Sequence, residues 1–129
     1  MQTTAEIQVR FSDLDCYGHV NNAVYLSYLE IARVQLIHDM FIEDMKRNIQ
    51  YLLVRVDLRY ILPITLEDKV FVHCWFSEVG KARFKASYSL HNGGGKIFAE
   101  GYTEHALYNA NTSRPIRIPK EWSEFVETK

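Results

Sequence analysis

An α+β fold, with an antiparallel sheet of five strands wrapped around one long central helix, is what this sequence predicts. Two observations carry that expectation. From Val20 to about Phe41 the chain holds no Gly or Pro and keeps a helical apolar period, over a surface so wide that the helix needs cover on most sides. The other periodic apolar runs alternate in steps of two and are separated by turn-forming residues.

The elements follow in chain order. Ile7, Val9 and Phe11 alternate with Gln8 and Arg10, which predicts the opening strand there. Ser12 to Gly18 is rich in side chains that hydrogen-bond locally and reads as a loop. In the helix that follows, Tyr25, Leu29, Ala32, Leu36 and Met40 recur at helical spacing, and Val24, Leu26, Tyr28 and Ile31 widen the apolar face. Asn21 or Asn22 is the expected N-cap. After a polar stretch from Glu43 to Gln50, Leu52, Val54, Val56, Leu58, Tyr60 and Leu62 alternate with Arg55, Asp57 and Arg59 until Pro63 ends the run. Val70 to Phe76 is almost continuously apolar, the pattern of a strand covered on both faces. Glu78 to Lys81 supplies a turn, and Ala82, Phe84, Ala86, Tyr88 and Leu90 then alternate with polar residues. Asn92-Gly93-Gly94-Gly95 is a hairpin turn, and Lys96 to about Asn109 forms the last strand. The tail, carrying Pro115 and Pro119, reads as irregular. Nothing resembles a linker or a repeat, so residues 1–129 are expected to form a single domain. A small open sheet leaves two unpaired edges, and pairing them between subunits predicts a homodimer or homotetramer.

Composition narrows the function. Fifteen basic residues against sixteen acidic ones give a net charge of −1, which offers no general field for nucleic acid. The opening residues lack the cationic and apolar segments of a secretory signal, and no run approaches the ~18 apolar residues of a membrane span. Cys16 and Cys74 have no paired-ligand spacing and are expected to be free thiols. The expectation is a cytoplasmic protein without membrane or nucleic-acid partners. His73 and Cys74 fall on opposite faces of a regular strand, which argues against a metal site, and no cofactor motif is present. There is no Gly-x-Ser-x-Gly elbow, and Gly93 to Gly95 lacks the Lys-Ser/Thr of a phosphate loop.

Chemistry concentrates in Asp13-Leu14-Asp15-Cys16-Tyr17-Gly18-His19-Val20-Asn21-Asn22. Two carboxylates, an imidazole and two amides lie just ahead of the long helix, whose first N–H groups are unpaired and carry a partial positive charge. A carboxylate beside such an oxyanion site has the parts that acyl-transfer hydrolysis needs. The same residue types also fit a loop whose polar side chains only cap and turn the backbone.

The run from Asp15 through Gly18-His19-Val20-Asn21-Asn22 to Tyr25, followed by Glu30 and Arg33, resembles the signature of the 4-hydroxybenzoyl-CoA thioesterase-like hotdog family. It is most similar to the bacterial long-chain acyl-CoA thioesterases and the plant acyl-carrier thioesterases. Weaker similarity covers the whole chain: Pro63, Asp68 before a strand, and the closing Arg114-Pro115 and Ile118-Pro119. The resemblance implies a hotdog fold and hydrolysis of an acyl-CoA, or an acyl-carrier substrate, with the acyl chain between subunits. Asp15 matches the family's catalytic carboxylate, as base or nucleophile; the Asn22 N–H matches the oxyanion donor; His19 matches a histidine of the plant relatives. Tyr25 matches a position lining the acyl pocket, and Tyr17 and Gly18 share the substrate loop. The plant relatives carry asparagine where this chain has Tyr17, which leaves the role of His19 open.

Two rivals remain. Hotdog enoyl-CoA hydratases place Asp and His five residues apart with asparagine and proline between, whereas Asp15 and His19 are four apart around Cys16, Tyr17 and Gly18. A non-catalytic acyl-CoA-binding module is the other. Arg59, Lys81, Arg83 and Lys85 are candidates for contact with CoA phosphates, chiefly Arg59 and Arg83. Glu30 and Arg33, three apart on the helix, are expected to pair.

Overall fold

The computed structural model describes residues 1–127. Strands β1 (Gln2–Ile7), β2 (Ile49–Tyr60), β3 (Val70–Val79), β4 (Arg83–His91) and β5 (Ile97–Asn109) form an antiparallel sheet in the order β1-β3-β4-β5-β2. A sixth strand, β6 (Arg114–Ile116), pairs with the end of β5 and continues the line of β4. Helix α1 (Tyr25–Lys46) packs on the inner face against β1, β3 and β2. This is the expected α+β hotdog arrangement, with six strands in place of five.

The core explains the sheet. Phe84, Ala86, Tyr88 and Leu90 point inward from β4, and Val70, Val72, Cys74 and Phe76 do so from β3. Tyr25, Tyr28, Leu29, Ala32, Leu36 and Ile37 of α1 close over them. The outer face of β3 is only half-covered at Phe71, His73 and Trp75, so the near-continuous apolar run does not mark a strand buried on both sides. Phe71 stacks on His91 at 5.8 Å there, which shields both rings without a second layer.

Several boundaries differ from the sequence reading, each for a physical reason. The opening strand is earlier than Ile7–Phe11, because Gln2 to Ile7 pair with Trp75 to Val70 and bury Ala5 and Ile7. Phe11 lies in a 3₁₀ turn, Phe11–Asp13, and is 79% exposed. The Asp13 carboxylate accepts the Arg10 N–H at 3.0 Å, closing that turn where a strand would have continued. The helix starts later than Val20 and continues to Lys46, with Val24 as N-cap rather than either asparagine. Buried Asp44 sustains the last turn by accepting from Tyr51 Oη and Arg47, and Asn48, at φ 61°, breaks it.

In β2 the register slips between Leu53 and Arg55, leaving Val54 as a bulge. Tyr51 and Leu53 therefore share the face of Val56, Leu58 and Tyr60, and Leu52 falls on the other. The tail is not irregular either. Pro119 leads into a 3₁₀ segment, Lys120–Phe125, whose Trp122 is buried against Phe84 and Tyr51 at 5.4 and 5.7 Å. Cys16 is exposed, Cys74 is buried, and both are free thiols. No helix among the described residues is long and apolar enough to cross a membrane.

Candidate active site

Residues 14 to 20 form a tight hairpin ahead of α1. Leu14 and Val20 are bridged, the Asp15 N–H donates to the His19 carbonyl at 2.7 Å, and the Gly18 N–H donates to the Asp15 carbonyl at 3.1 Å. Gly18 takes φ 78°, a left-handed conformation that glycine adopts without steric cost. The hairpin turns the Asp15 side chain back on itself: its Oδ1 accepts the Tyr17 N–H at 2.9 Å and the His19 N–H at 3.2 Å. Among the described residues no donor reaches Oδ2, so one oxygen of this half-exposed carboxylate is anchored and the other is available.

The return leg fixes the helix entrance. The Val20 N–H donates to the Ile64 carbonyl at 2.8 Å, the Asn21 N–H donates to the Asp13 carbonyl at 2.9 Å, and His19 bridges Thr65. Asn21 caps the turn before the helix rather than the helix itself. Its side-chain oxygen accepts the Ala23 N–H at 2.9 Å, and its carbonyl accepts the Val24 N–H, also at 2.9 Å. The Tyr60 hydroxyl donates to the Asn22 carbonyl at 2.7 Å and ties this turn to the end of β2. No acceptor within the described residues takes the Asn22 N–H. That donor lies in the turn leading into a 22-residue helix, at the positive end of its macrodipole.

Asp15, Tyr17, Gly18, His19 and Asn22 are thus gathered on one hairpin and its exit. Tyr17, at the tip, is 80% exposed, whereas Tyr25 is 2% exposed with its ring edge-on to Tyr60 at 4.8 Å. The two arginines are not gathered with them. Arg59 lies opposite Glu100 on the outer face of β2, since its neighbour Tyr60 points inward. Arg83 begins β4 at the end of the sheet away from Tyr60, and its Nη1 is 3.0 Å from Glu104 Oε1. Lys85 is paired with Glu78 and sits over the Tyr102 ring.

Two supports complete the site: Asp13, which the sequence offers as a structural loop residue without its partners, and Tyr60. Asp13 is 3% exposed and accepts the Tyr28 hydroxyl at 2.7 Å as well as the Arg10 guanidinium at 3.2 Å. Burial opposes its ionised form, but the Arg10 N–H, the Tyr28 hydroxyl and the Arg10 charge outweigh that and hold its carboxyl below the usual carboxylate range. Asp13 therefore pins the base of the hairpin to α1. The signal available was Tyr28 on the inward face of the helix, since a buried tyrosine hydroxyl requires a partner. Tyr60 was counted only as an apolar position of β2, although its hydroxyl holds Asn22.

The hairpin thus carries a carboxylate with one oxygen anchored, and its exit an N–H without an acceptor among the described residues. The chain is similar to the long-chain acyl-CoA thioesterase FadM of Escherichia coli, with 28% identity over 130 residues, covering 98% of this chain and 97% of that one. It is 29% identical over 120 residues to the acyl-acyl carrier protein thioesterase ATL3 of Arabidopsis thaliana, covering 88% of this chain and 62% of the relative. Among solved structures, the hypothetical protein TT1821 of Thermus thermophilus superposes with a TM-score of 0.86 at 25% identity, covering 99% of this chain and 100% of that one. A family model describing the thioesterase-like superfamily matches residues 9–126. The hairpin, the helix and strands β2 to β6 fall within that match, and the chain belongs to the thioesterase-like superfamily.

Proposed function

We propose that this protein is an acyl-CoA thioesterase in which Asp15 and the Asn22 N–H act on the two sides of the thioester carbonyl. The observation that carries this reading is the pairing of an Asp15 carboxylate anchored through one oxygen with an unpartnered N–H at the start of α1. The acyl oxygen is placed at the Asn22 N–H, where the donor and the helix end stabilise the charge of the tetrahedral intermediate. A water oxygen then bonds to the acyl carbon as the Asp15 carboxylate takes its proton. The carbon–sulfur bond breaks, and the leaving thiolate is protonated, releasing free acid and CoA. In the competing route Asp15 attacks directly and water hydrolyses the mixed anhydride. Label found in Asp15 after single-turnover hydrolysis in oxygen-18 water establishes the second route, with water attacking the aspartyl carbon of the anhydride.

Tyr17 and Gly18 are proposed to flank the thioester from the hairpin tip, and Tyr25 to back the acyl entrance. Arg59 and Arg83 remain proposed phosphate contacts; Arg83, at the end of the sheet away from Tyr60, requires an assembly that brings it to another subunit's site. A homodimer or homotetramer is proposed on the same footing. Leu52, Leu53 and Val54 of edge strand β2 are 41%, 51% and 42% exposed, a surface that pairing with a second copy would cover.

Thiol release from a panel of short, long and aromatic acyl-CoAs tests the activity, with crotonyl-CoA hydration followed by ultraviolet absorbance beside it. Thiol release is the expected result. Hydration without thiol release would instead establish a lyase, and calorimetric binding with neither would establish an acyl-CoA-binding module. Acyl-carrier thioesters extend the panel to the second substrate class.

A further inference from the structure

Between α1 and the inner faces of β2 and β5 runs a cleft made of two adjoining cavities, of about 160 and 250 Å³, that share Glu30, Arg33 and Leu53 as walls. Together they exceed the ~300 Å³ at which small-molecule sites begin. The cleft starts at Leu26 and Ser27, about one helical turn beyond Asn22, and runs to Phe41. Its walls are largely apolar, with Ser27, Glu30, Arg33, Thr103 and His105 as the polar members. The Arg33 side chain is only 14% exposed and lines both cavities.

Arg33 is under-compensated there. Its Nη1 donates to the Tyr88 hydroxyl at 3.1 Å; Tyr88 Oη lies 2.5 Å from Thr103 Oγ1, which lies 2.8 Å from His105 Nε2. A guanidinium can only donate, so the Tyr88 oxygen accepts from Arg33, and the Tyr88 and Thr103 hydroxyls link it on to the His105 ring. Burial first, and the Arg33 charge second, push the His105 imidazole down to about 3, so the far end of the chain is neutral. No member of the network supplies a negative charge. Among the described residues its ion pair is the expected one with Glu30, whose Oε2 is 3.8 Å from Nη2, too far for a hydrogen bond, on a side chain that is 69% exposed. A buried cation with one short partner beside an apolar cleft favours any ligand that brings it an acceptor.

We propose that this cleft receives the acyl chain and that Arg33 selects acyl groups carrying an oxygen acceptor partway along, a carboxylate above all. The proposal rests on the thioesterase reading of the Asp15 hairpin and names its substrate class. Arg33 follows Asn22 by eleven residues, about 16 Å along a helix, and its side chain leans back toward the N-terminus. The acceptor therefore lies roughly eight to ten bonds from the thioester carbonyl, at about 1.2 Å of extended chain per bond.

The test compares CoA thioesters of roughly ten-carbon chains ending in a methyl or in a carboxylate, on wild type, Arg33→Met, Glu30→Gln and Asp15→Asn. In wild type, kcat/KM favours the carboxylate-ended chain by about tenfold or more, the scale of a charged hydrogen bond. Arg33→Met, of similar volume, inverts that ratio, and Glu30→Gln raises it by removing the competing carboxylate. An indifferent wild type, or a ratio that neither variant moves, overturns the proposal. Should Arg33→Met fail to fold, the exposed Glu30→Gln change decides alone. Loss of the oligomer in Arg33→Met with the ratio unchanged would mean that Arg33 meets a carboxylate of a second copy, which also overturns it. Asp15→Asn abolishes both hydrolyses, so its failure to do so counts against the hairpin and not against Arg33. If no thioester is cleaved at all, calorimetry with the free dicarboxylic and monocarboxylic acids still decides: tighter binding of the dicarboxylate, lost in Arg33→Met, supports the cleft, and equal binding refutes it.

Discussion

At the scale of single residues, the hairpin separates groups that act through the backbone from groups that offer a side chain. His19 holds Asp15 with its N–H, at 3.2 Å, and that contact survives removal of the ring. His19→Ala is therefore expected to keep the hairpin and cost less hydrolysis than Asp15→Asn. An equal loss in steady-state thiol release would give the imidazole a direct part in the chemistry. Asp13 is the structural partner of the pair, and Tyr28→Phe isolates its contribution by removing a 2.7 Å hydrogen bond to a buried carboxylate. Denaturant unfolding should show a loss of about 1.5–3 kcal/mol, the range for hydrogen bonds to charged groups. A change within ~0.5 kcal/mol would mean that the Arg10 contacts suffice. The Asp15 motif was legible in the sequence because all its members lie within eight residues. The burial of Asp13 was not, since its partners Arg10 and Tyr28 become neighbours only when the 3₁₀ turn packs on α1.

Among the elements, β2 shows where reading by alternation stops. Leu52, Leu53 and Val54 are all apolar, so either parity satisfies the pattern, and the bulge at Val54 that decides between them leaves no mark in composition. Strand β4 was legible throughout, because each inward apolar residue is flanked by outward polar ones. The tail was misread through its prolines: Pro115 sits in the short β6, and Pro119 starts the segment that buries Trp122. Gly101, in the middle of β5, reports on the β2–β5 packing. A Cβ there would lie 2.0 Å from the Asp57 carbonyl oxygen and 2.8 Å from Leu58 Cα, both backbone atoms of β2 that cannot rotate away. Gly101→Ala is expected to cost about 3 kcal/mol or more by forcing β2 off β5, measured by chemical denaturation. A neutral substitution would show that the two strands slide freely, which the hydrogen-bonded register from Ile49 to Tyr60 opposes.

For the whole molecule, acid is the informative perturbation. His105 has a folded-state pKa of about 3 against an ordinary value of 6.5. As pH falls below 6.5 the unfolded chain takes up a proton that the folded chain does not, so stability is complete above that value and drains away toward pH 3. The slope from this single site is at most about 1.4 kcal/mol per pH unit. Asp13, held below its ordinary range, adds to the loss at the acid end of the same window. Melting temperatures from pH 7 to 4 should decline in wild type and decline less in His105→Gln; parallel curves would contradict the burial of a neutral imidazole. Fold class and hairpin were thus open to sequence reasoning, being set by local periodicity and a contiguous motif. The Arg33–Tyr88–Thr103–His105 chain joins three elements distant in sequence, and no spacing rule points to it. The proposal that thioester hydrolysis depends on the Asp15 carboxylate is tested most directly by thiol release from wild type and Asp15→Asn at matched oligomeric state. Asparagine keeps an Oδ1 to accept the Tyr17 and His19 N–H groups, so the hairpin should persist while hydrolysis falls by at least about 100-fold. Hydrolysis undiminished in a folded, normally assembled variant would contradict the proposed role of Asp15.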